Sequence, residues 1–205
     1  MHRFLPILLL ATSAFAQYKT APAGAAPSEL APAIAATLQK DGVKLMNGDK
    51  VVAEFWFRTT APSGPKSAED NVTLPNIPHG ALLGALRVPE RFSDRRGSAI
   101  KAGVYTLRYS NFPQNGDHQG VAPQRDFLLI VRAADDKDPN TNPDYKTLVD
   151  LSEKALGGPH PGVYSISKQD SDFKPGLNQH ENDWVYQVKI GDIPISMIVV
   201  GKAEG

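Results

Sequence analysis

Along most of this chain, apolar and polar residues alternate with a period of two. In KVVAEFWFR (50–58), Val51, Ala53, Phe55 and Phe57 fall on one face, and Val52, Glu54, Trp56 and Arg58 on the other, which predicts a strand with a mixed outer face. The run Val43–Met46 predicts its partner, joined through Asn47-Gly48, a dipeptide suited to a type I′ hairpin. GALLGALRV (80–88) predicts a further strand, with Gly84 as its weak point. AGVYTLRYS (102–110) sets Tyr105, Leu107 and Tyr109 against Val104, Thr106 and Arg108. RDFLLIVRA (125–133) is nearly continuous in apolar residues and predicts a central strand covered on both faces. GVYSIS (162–167) is a short strand, and WVYQVKI, Gly191-Asp192 and IPISMIVVG form a closing hairpin with Pro194 at the start of its second strand.

The period changes convincingly once. Leu148, Leu151 and Ala155 keep to one side of a helix over about 143–156. Asn142 is placed to cap it, Pro143 suits its first turn, Asp144 its positive end and Gly157 its stop. A shorter helix is expected around Ile34–Lys40, ended by Gly42. Residues 17–34 are rich in Ala and Pro, and Pro22, Pro27 and Pro32 predict an extended lead-in. About eight strands, one peripheral helix and no βαβ alternation predict an all-β fold, an antiparallel sandwich or jelly-roll-like barrel, as a single domain over 35–205.

The N-terminus changes the picture of where this domain works. Met1-His2-Arg3, the apolar run Phe4–Ala11 and the small-x-small triplet Ala14-Phe15-Ala16 have the order of a signal peptide, residues 1–16, cleaved before Gln17. The apolar run is about half of the ~20 residues that span a bilayer. No Cys follows it, so no lipoprotein anchor is expected, and the mature chain is expected to be periplasmic or secreted, without a membrane span. Cleavage leaves 189 of the 205 residues, enough for a proper core. The chain has no Cys, so that core must hold without disulfides, and thiol chemistry is excluded. Lys and Arg number 22 and so do Asp and Glu, which leaves no electrostatic footprint for nucleic acid.

Candidate chemistry gathers in the long connections. Those at 59–79, 111–124 and 168–183 reach or exceed the ~12–15 residues beyond which a structureless loop in a compact domain is usually functional or loose. His79, His118 and His180 belong to these loops, and His160 lies in the GGPHPG turn. Together with Asp117, Glu181 or Asp183 they are the candidate ligands for zinc or another transition metal, although no HExxH or HxH spacing supports that reading. In DKDPNTNPD, Asp136, Asp138, Asn140, Asn142 and Asp144 recur at every second position, as calcium-binding oxygens do. Thr141 replaces the required Gly and Thr147 the bidentate Glu, so the stretch is read as a helix-capping loop rather than a calcium site. No GxSxG, GxGxxG or Walker motif occurs, and Asp170, Asp172, Glu181 and Asp183 do not form an identifiable carboxylate pair. Within 111–124, Asp117 and His118 with the following Arg125 are candidate ligand contacts, and Phe112 and Phe173 are the loop aromatics expected to face a ligand.

The segment from Ile100 to Val131, IKAGVYTLRYS followed by RDFLLIV, resembles a group of uncharacterised secreted bacterial β-sandwich proteins, common in acidobacteria, that carry a domain of unknown function with an AGxYxL core. That resemblance implies a sandwich fold and an extracytoplasmic address, and assigns no activity. The chain is therefore expected to be an exported, non-catalytic binding or accessory module for a carbohydrate, peptide or envelope partner. The alternative is a metal-dependent enzyme whose loop histidines activate water.

Overall fold

The computed structural model describes residues 18–114, 124–169 and 171–202. The expected signal peptide, Asp117, His118 and Asp170 lie outside them. The strands are β1 (Tyr18–Gly24), β2 (Gly42–Asn47), β3 (Lys50–Phe57), β4 (Leu82–Val88), β5 (Phe92–Ser93), β6 (Ala99–Ile100), β7 (Gly103–Asn111), β8 (Asp126–Arg132), β9 (Val163–Lys168), β10 (Gly176–His180), β11 (Asp183–Ile190) and β12 (Ile193–Val200). The helices are α1 (Pro32–Ala35) and α2 (Tyr145–Leu156).

The chain is mostly β and antiparallel, as its alternation predicts, but the expected pair of facing sheets is absent among the described residues. Ten strands form one sheet in the order β1-β2-β3-β4-β7-β8-β9-β12-β11-β10. That sheet curls until its two ends approach, with the Tyr18 ring 5.6 Å from Trp184, so the architecture is close to a barrel. The excess over eight strands comes from segments whose strand character the sequence hides. The Ala/Pro lead-in begins with β1, which pairs with β2 from Tyr18↔Asn47 to Gly24↔Gly42. The connection at 168–183 contains β10, paired with β11 from Gly176↔Gln187 to His180↔Asp183. Both are edge strands, and edges tolerate the Pro, Gly and polar residues that mask a strand pattern.

Alternation sorts the residues of each strand between inside and outside. Inward positions, among them Phe55, Phe57, Leu86, Tyr105, Leu107, Leu128, Ile130, Tyr164, Ile166, Met197 and Val199, merge into one apolar interior. A gap there lined by Thr20, Val43, Leu45, Phe55, Tyr186 and Val199 is too small to admit water, so the barrel is packed rather than hollow. Two smaller apolar clusters cover parts of the outside. Leu30, Ile34 and Leu38, around α1, lie on Trp56, Leu82 and Ala85 of β3 and β4. Leu148 of α2, with Phe112, lies on Phe127, Leu129 and Val131 of β8, which is thus covered on both faces as predicted. Gly42 is required where β2 passes the Trp56 indole, because a Cβ there would sit 2.4 Å from the ring nitrogen.

Several local expectations shift by a residue or two. The β2–β3 turn is Gly48-Asp49, between the paired Asn47 and Lys50, with Gly48 at φ 60°. A Gly with positive φ at the first central position is the type II′ arrangement, and Gly191-Asp192 repeats it between β11 and β12 with φ 57°. The cap of α2 is Asp144 rather than Asn142, its carboxylate accepting the Thr147 N–H at 2.8 Å, and Gly157 ends the helix at φ 74°. The first helix is the short Pro32–Ala35, ahead of the predicted 34–40.

Buried polar groups attach the long connections to this frame. Arg108, on the outer face of β7, is almost fully buried and uses every guanidinium donor. Its Nε and one terminal nitrogen donate to the two carboxylate oxygens of Asp136, each at 2.7 Å. The remaining hydrogens go to the carbonyls of Gly80 at 2.8 Å, Thr141 at 2.6 Å and Asp138 at 2.8 Å. Thr106 also donates to Asp136, at 2.5 Å. Asp126 does the same for 59–79, accepting from the Thr73 N–H at 2.8 Å, the Leu74 N–H at 3.2 Å and the Tyr109 hydroxyl at 2.5 Å. The separate β5–β6 hairpin packs on the interior through the buried Ile100 and the partly buried Phe92, and Arg95, between its strands, pairs with Asp183 of β11 at 3.1 Å.

Replacing Arg108 with Met strands the buried Asp136 carboxylate and leaves the Gly80, Thr141 and Asp138 carbonyls without this donor. A loss of about 3–5 kcal/mol in unfolding free energy is expected from denaturant titration. A loss under ~1 kcal/mol, the range of a surface ion pair, would contradict this account.

Candidate functional site

The outer face of the barrel is not covered evenly. α1 shields β3 and β4, α2 shields β8, and beyond them β9, β12, β11 and β10 present a cleft of about 490 Å³. Its floor consists of outward positions of the strands: Ser165 and Ser167 from β9, Ser196 and Ile198 from β12, and Val185 and Gln187 from β11. One wall carries Gln124, the last residue of the 111–124 connection, and another carries Gln169, Asp172 and Lys174 from the approach to β10. Asn178, Gln179 and His180 complete it.

The local sequence explains this surface. Tyr164 and Ile166 point inward, so Ser165 and Ser167 point out. Ile195, Met197 and Val199 point inward, leaving Ser196 and Ile198 outside. Ser165, Ser196 and Gln187 are nearly buried despite facing outward, because neighbouring polar side chains stand around them. Ser196 Oγ donates to Gln169 Oε1 at 2.9 Å, the Lys174 N–H donates to Gln187 Oε1 at 2.6 Å, and Gln124 Nε2 donates to the Ile166 carbonyl at 2.8 Å. Asp172 and Lys174 contribute opposite charges at the rim. Such a surface can form many neutral hydrogen bonds, with an apolar patch at Val185 and Ile198.

The sequence-predicted residues are dispersed. Arg125 is occupied structurally: its Nε donates to the Phe112 carbonyl at 2.6 Å, and its terminal nitrogens donate to the Asp70 carbonyl at 3.0 Å and the Glu69 carboxylate at 2.6 Å. Phe112 is buried and stacked on Phe127 with centroids 4.2 Å apart. Phe173 is partly exposed beside the cleft, with the Lys189 ammonium 5.9 Å from its ring centre. Of the four candidate metal histidines, His180 lines the cleft, His160 is exposed in its turn, and His118 lies outside the described residues together with Asp117. Among the described residues, no group of three or more His, Asp or Glu side chains is arranged to hold a metal ion. Acidic residues of the alternating stretch 136–144 are engaged within the fold: Asp136 binds Arg108, Asp138 accepts the Asn140 N–H at 2.9 Å, and Asp144 caps α2.

His79 takes a different role. Its Nδ1 lies 3.2 Å from Ser110 Oγ, its ring centre is 6.2 Å from that of Tyr145, and its Nε2 is buried with no hydrogen-bond partner among the described residues. Burial lowers its pKa below the ordinary 6.5, with nearby Asp144 and Glu69 partly offsetting the effect.

The lining serines and amides escape motif reasoning because no chemistry attaches to them singly. The signal that locates them is polar residues at alternate positions of the last strands, which marks a sheet face left uncovered. Comparisons with protein-family models, curated proteins and solved structures find no match to this chain.

The lowered pKa of His79 makes stability depend on pH in a stated direction. The folded protein favours the neutral ring, so this contribution is present above pH 6.5 and is lost as pH falls from there through the lower folded-state value. His79→Asn removes the titration, so the difference between wild-type and variant unfolding free energies is expected to shift against the wild type between pH 7.5 and 5. A difference independent of pH in paired denaturant titrations would show that His79 is not held neutral.

Proposed function

We propose that this chain is an exported, non-catalytic binding module that takes a neutral hydrophilic ligand in the cleft across β9, β12, β11 and β10. The observation that carries this reading is the cleft itself. It places hydroxyl and amide side chains on neighbouring strands, already oriented by internal hydrogen bonds, on a stretch of outer sheet that neither helix covers. Its charged members, Asp172 and Lys174, offset each other, which favours an uncharged partner. The order of residues 1–16, with the resemblance over Ile100–Val131, supports the extracytoplasmic address.

Two measurements test this reading. Ser167→Trp fills the cleft floor from a partly exposed position, where the larger ring need not enter the core. Saturation-transfer NMR against a mixed pool of soluble neutral sugars, uncharged peptides and cell-wall fragments is expected to show bound members with the wild type and none with Ser167→Trp. No bound member with the wild type, or the same members bound by both proteins, would dismiss the cleft as a binding site. N-terminal sequencing of protein recovered from a secreting bacterial host is expected to start at Gln17. A chain that still starts at Met1 would dismiss the processed, exported form.

A further inference from the structure

The cleft floor is ordered across the strands. Ser167 stands opposite Ser196, and Ser196 opposite Gln187, so one polar row crosses β9, β12 and β11 in register. Neighbouring strands lie ~4.8 Å apart, so a ligand lying across them meets polar side chains at that interval. Beside this row Val185 pairs with Ile198 across β11 and β12, and Asn178 of β10 pairs with Val185. An apolar strip of two residues, Val185 and Ile198, therefore lies beside the polar row, with Asn178 at its β10 end.

Internal hydrogen bonds settle which atoms the row offers. Gln187 Oε1 is taken by the Lys174 N–H at 2.6 Å, leaving its Nε2 hydrogens to the cleft. The Ser196 hydroxyl hydrogen is taken by Gln169 Oε1 at 2.9 Å, leaving the Ser196 oxygen as an acceptor. Asn178 Nδ2 is taken by the carbonyls of Lys174 at 2.8 Å and Gly176 at 3.1 Å, leaving its Oδ1 as an acceptor. Donors and acceptors thus alternate over a short distance, without formal charge.

We propose that the cleft binds an uncharged oligosaccharide lying across β9, β12 and β11, with its hydroxyl edge on the Ser167–Ser196–Gln187 row and its C–H face on Val185 and Ile198. The proposal rests on the binding-module reading above. A sugar hydroxyl both donates and accepts, which suits a row whose donors and acceptors are interleaved and fixed. A pyranose ring carries a hydroxyl edge beside an apolar C–H face, the same pairing as the two strips. The length of one pyranose along an extended chain is close to the strand spacing, so successive residues meet successive strands. An extended peptide presents side chains on one face every ~6.6 Å and runs out of step with the row. The absence of net charge on the lining removes the attraction that an anionic glycan requires.

Isothermal titration calorimetry tests this on the full processed protein, with cello-, xylo-, manno- and chitohexaose and, in parallel, uncharged hexapeptides. At least one hexasaccharide is expected to bind. Gln187→Glu keeps an oxygen for the Lys174 N–H but replaces the donor, and is expected to weaken that binding tenfold or more. Ser167→Trp provides the second variant and is expected to abolish it, with circular dichroism showing both variants folded. Hexapeptide binding without hexasaccharide binding would overturn the sugar assignment while leaving the binding module intact. Binding of neither class would overturn both. Hexasaccharide binding unchanged in both variants would overturn its placement on this row.

Discussion

The buried guanidinium of Arg108 holds the outer layer of this protein in place. A charge taken out of water costs several kcal/mol unless all its donors are satisfied, and here they are, by Asp136 and three carbonyls. Those carbonyls belong to Gly80, Asp138 and Thr141, so a single side chain ties the entry to β4 and the whole approach to α2 onto the sheet. With that approach fixed, Asp144 is in position to cap α2, and α2 to lie over β8. Asp126 repeats the device at the other long connection, where Thr73, Leu74 and Tyr109 converge on one buried carboxylate. In a chain without disulfides, such fully satisfied ionic and polar nodes replace covalent ties for long loops.

The cleft follows from where that outer layer stops. The barrel interior is already packed, and the outer face of β9 through β10 is mostly polar, with Ser165, Ser167, Ser196 and Gln187 beside only Val185 and Ile198, so little apolar surface there drives further cover. Their hydrogen bonds to Gln169 and Lys174 fix the segment before β10 as a wall. The polar groups of the cleft are therefore supplied by strands, with loop residues as supports, an arrangement that suits the proposed binding role as a preformed site rather than one assembled on contact.

The sequence indicated the strands near the middle of the sheet well. β3, β7 and β8 carry large side chains on their buried faces, and the alternation of Tyr105, Leu107 and Tyr109 against Thr106 and Arg108 is the alternation observed. It was least informative at the edges. β1 contains Ala and Pro, β10 contains Gly, Asn and Gln, and neither has a face apolar enough to identify it as a strand before its partner is known. The candidate cleft was hidden for a related reason. Histidines draw attention because one of them can act chemically, yet His79 serves beside Ser110, and His160 and His180 are exposed without metal partners among the described residues.

What the sequence determined by itself is local: the period-two pattern, the Gly-Asp turn of the last hairpin, the helix with its Gly157 stop, and a cysteine-free core that must be apolar. These depend on steric and burial preferences that each residue and its near neighbours carry. Tertiary structure alone decided that the sheet curls into one near-barrel instead of two layers, because that depends on β1 and β10 meeting from opposite ends of the chain. It also decided that Ser167, Ser196 and Gln187 form a row. They come from three strands, and only the pairing register, set by the inward apolar residues beside them, aligns them.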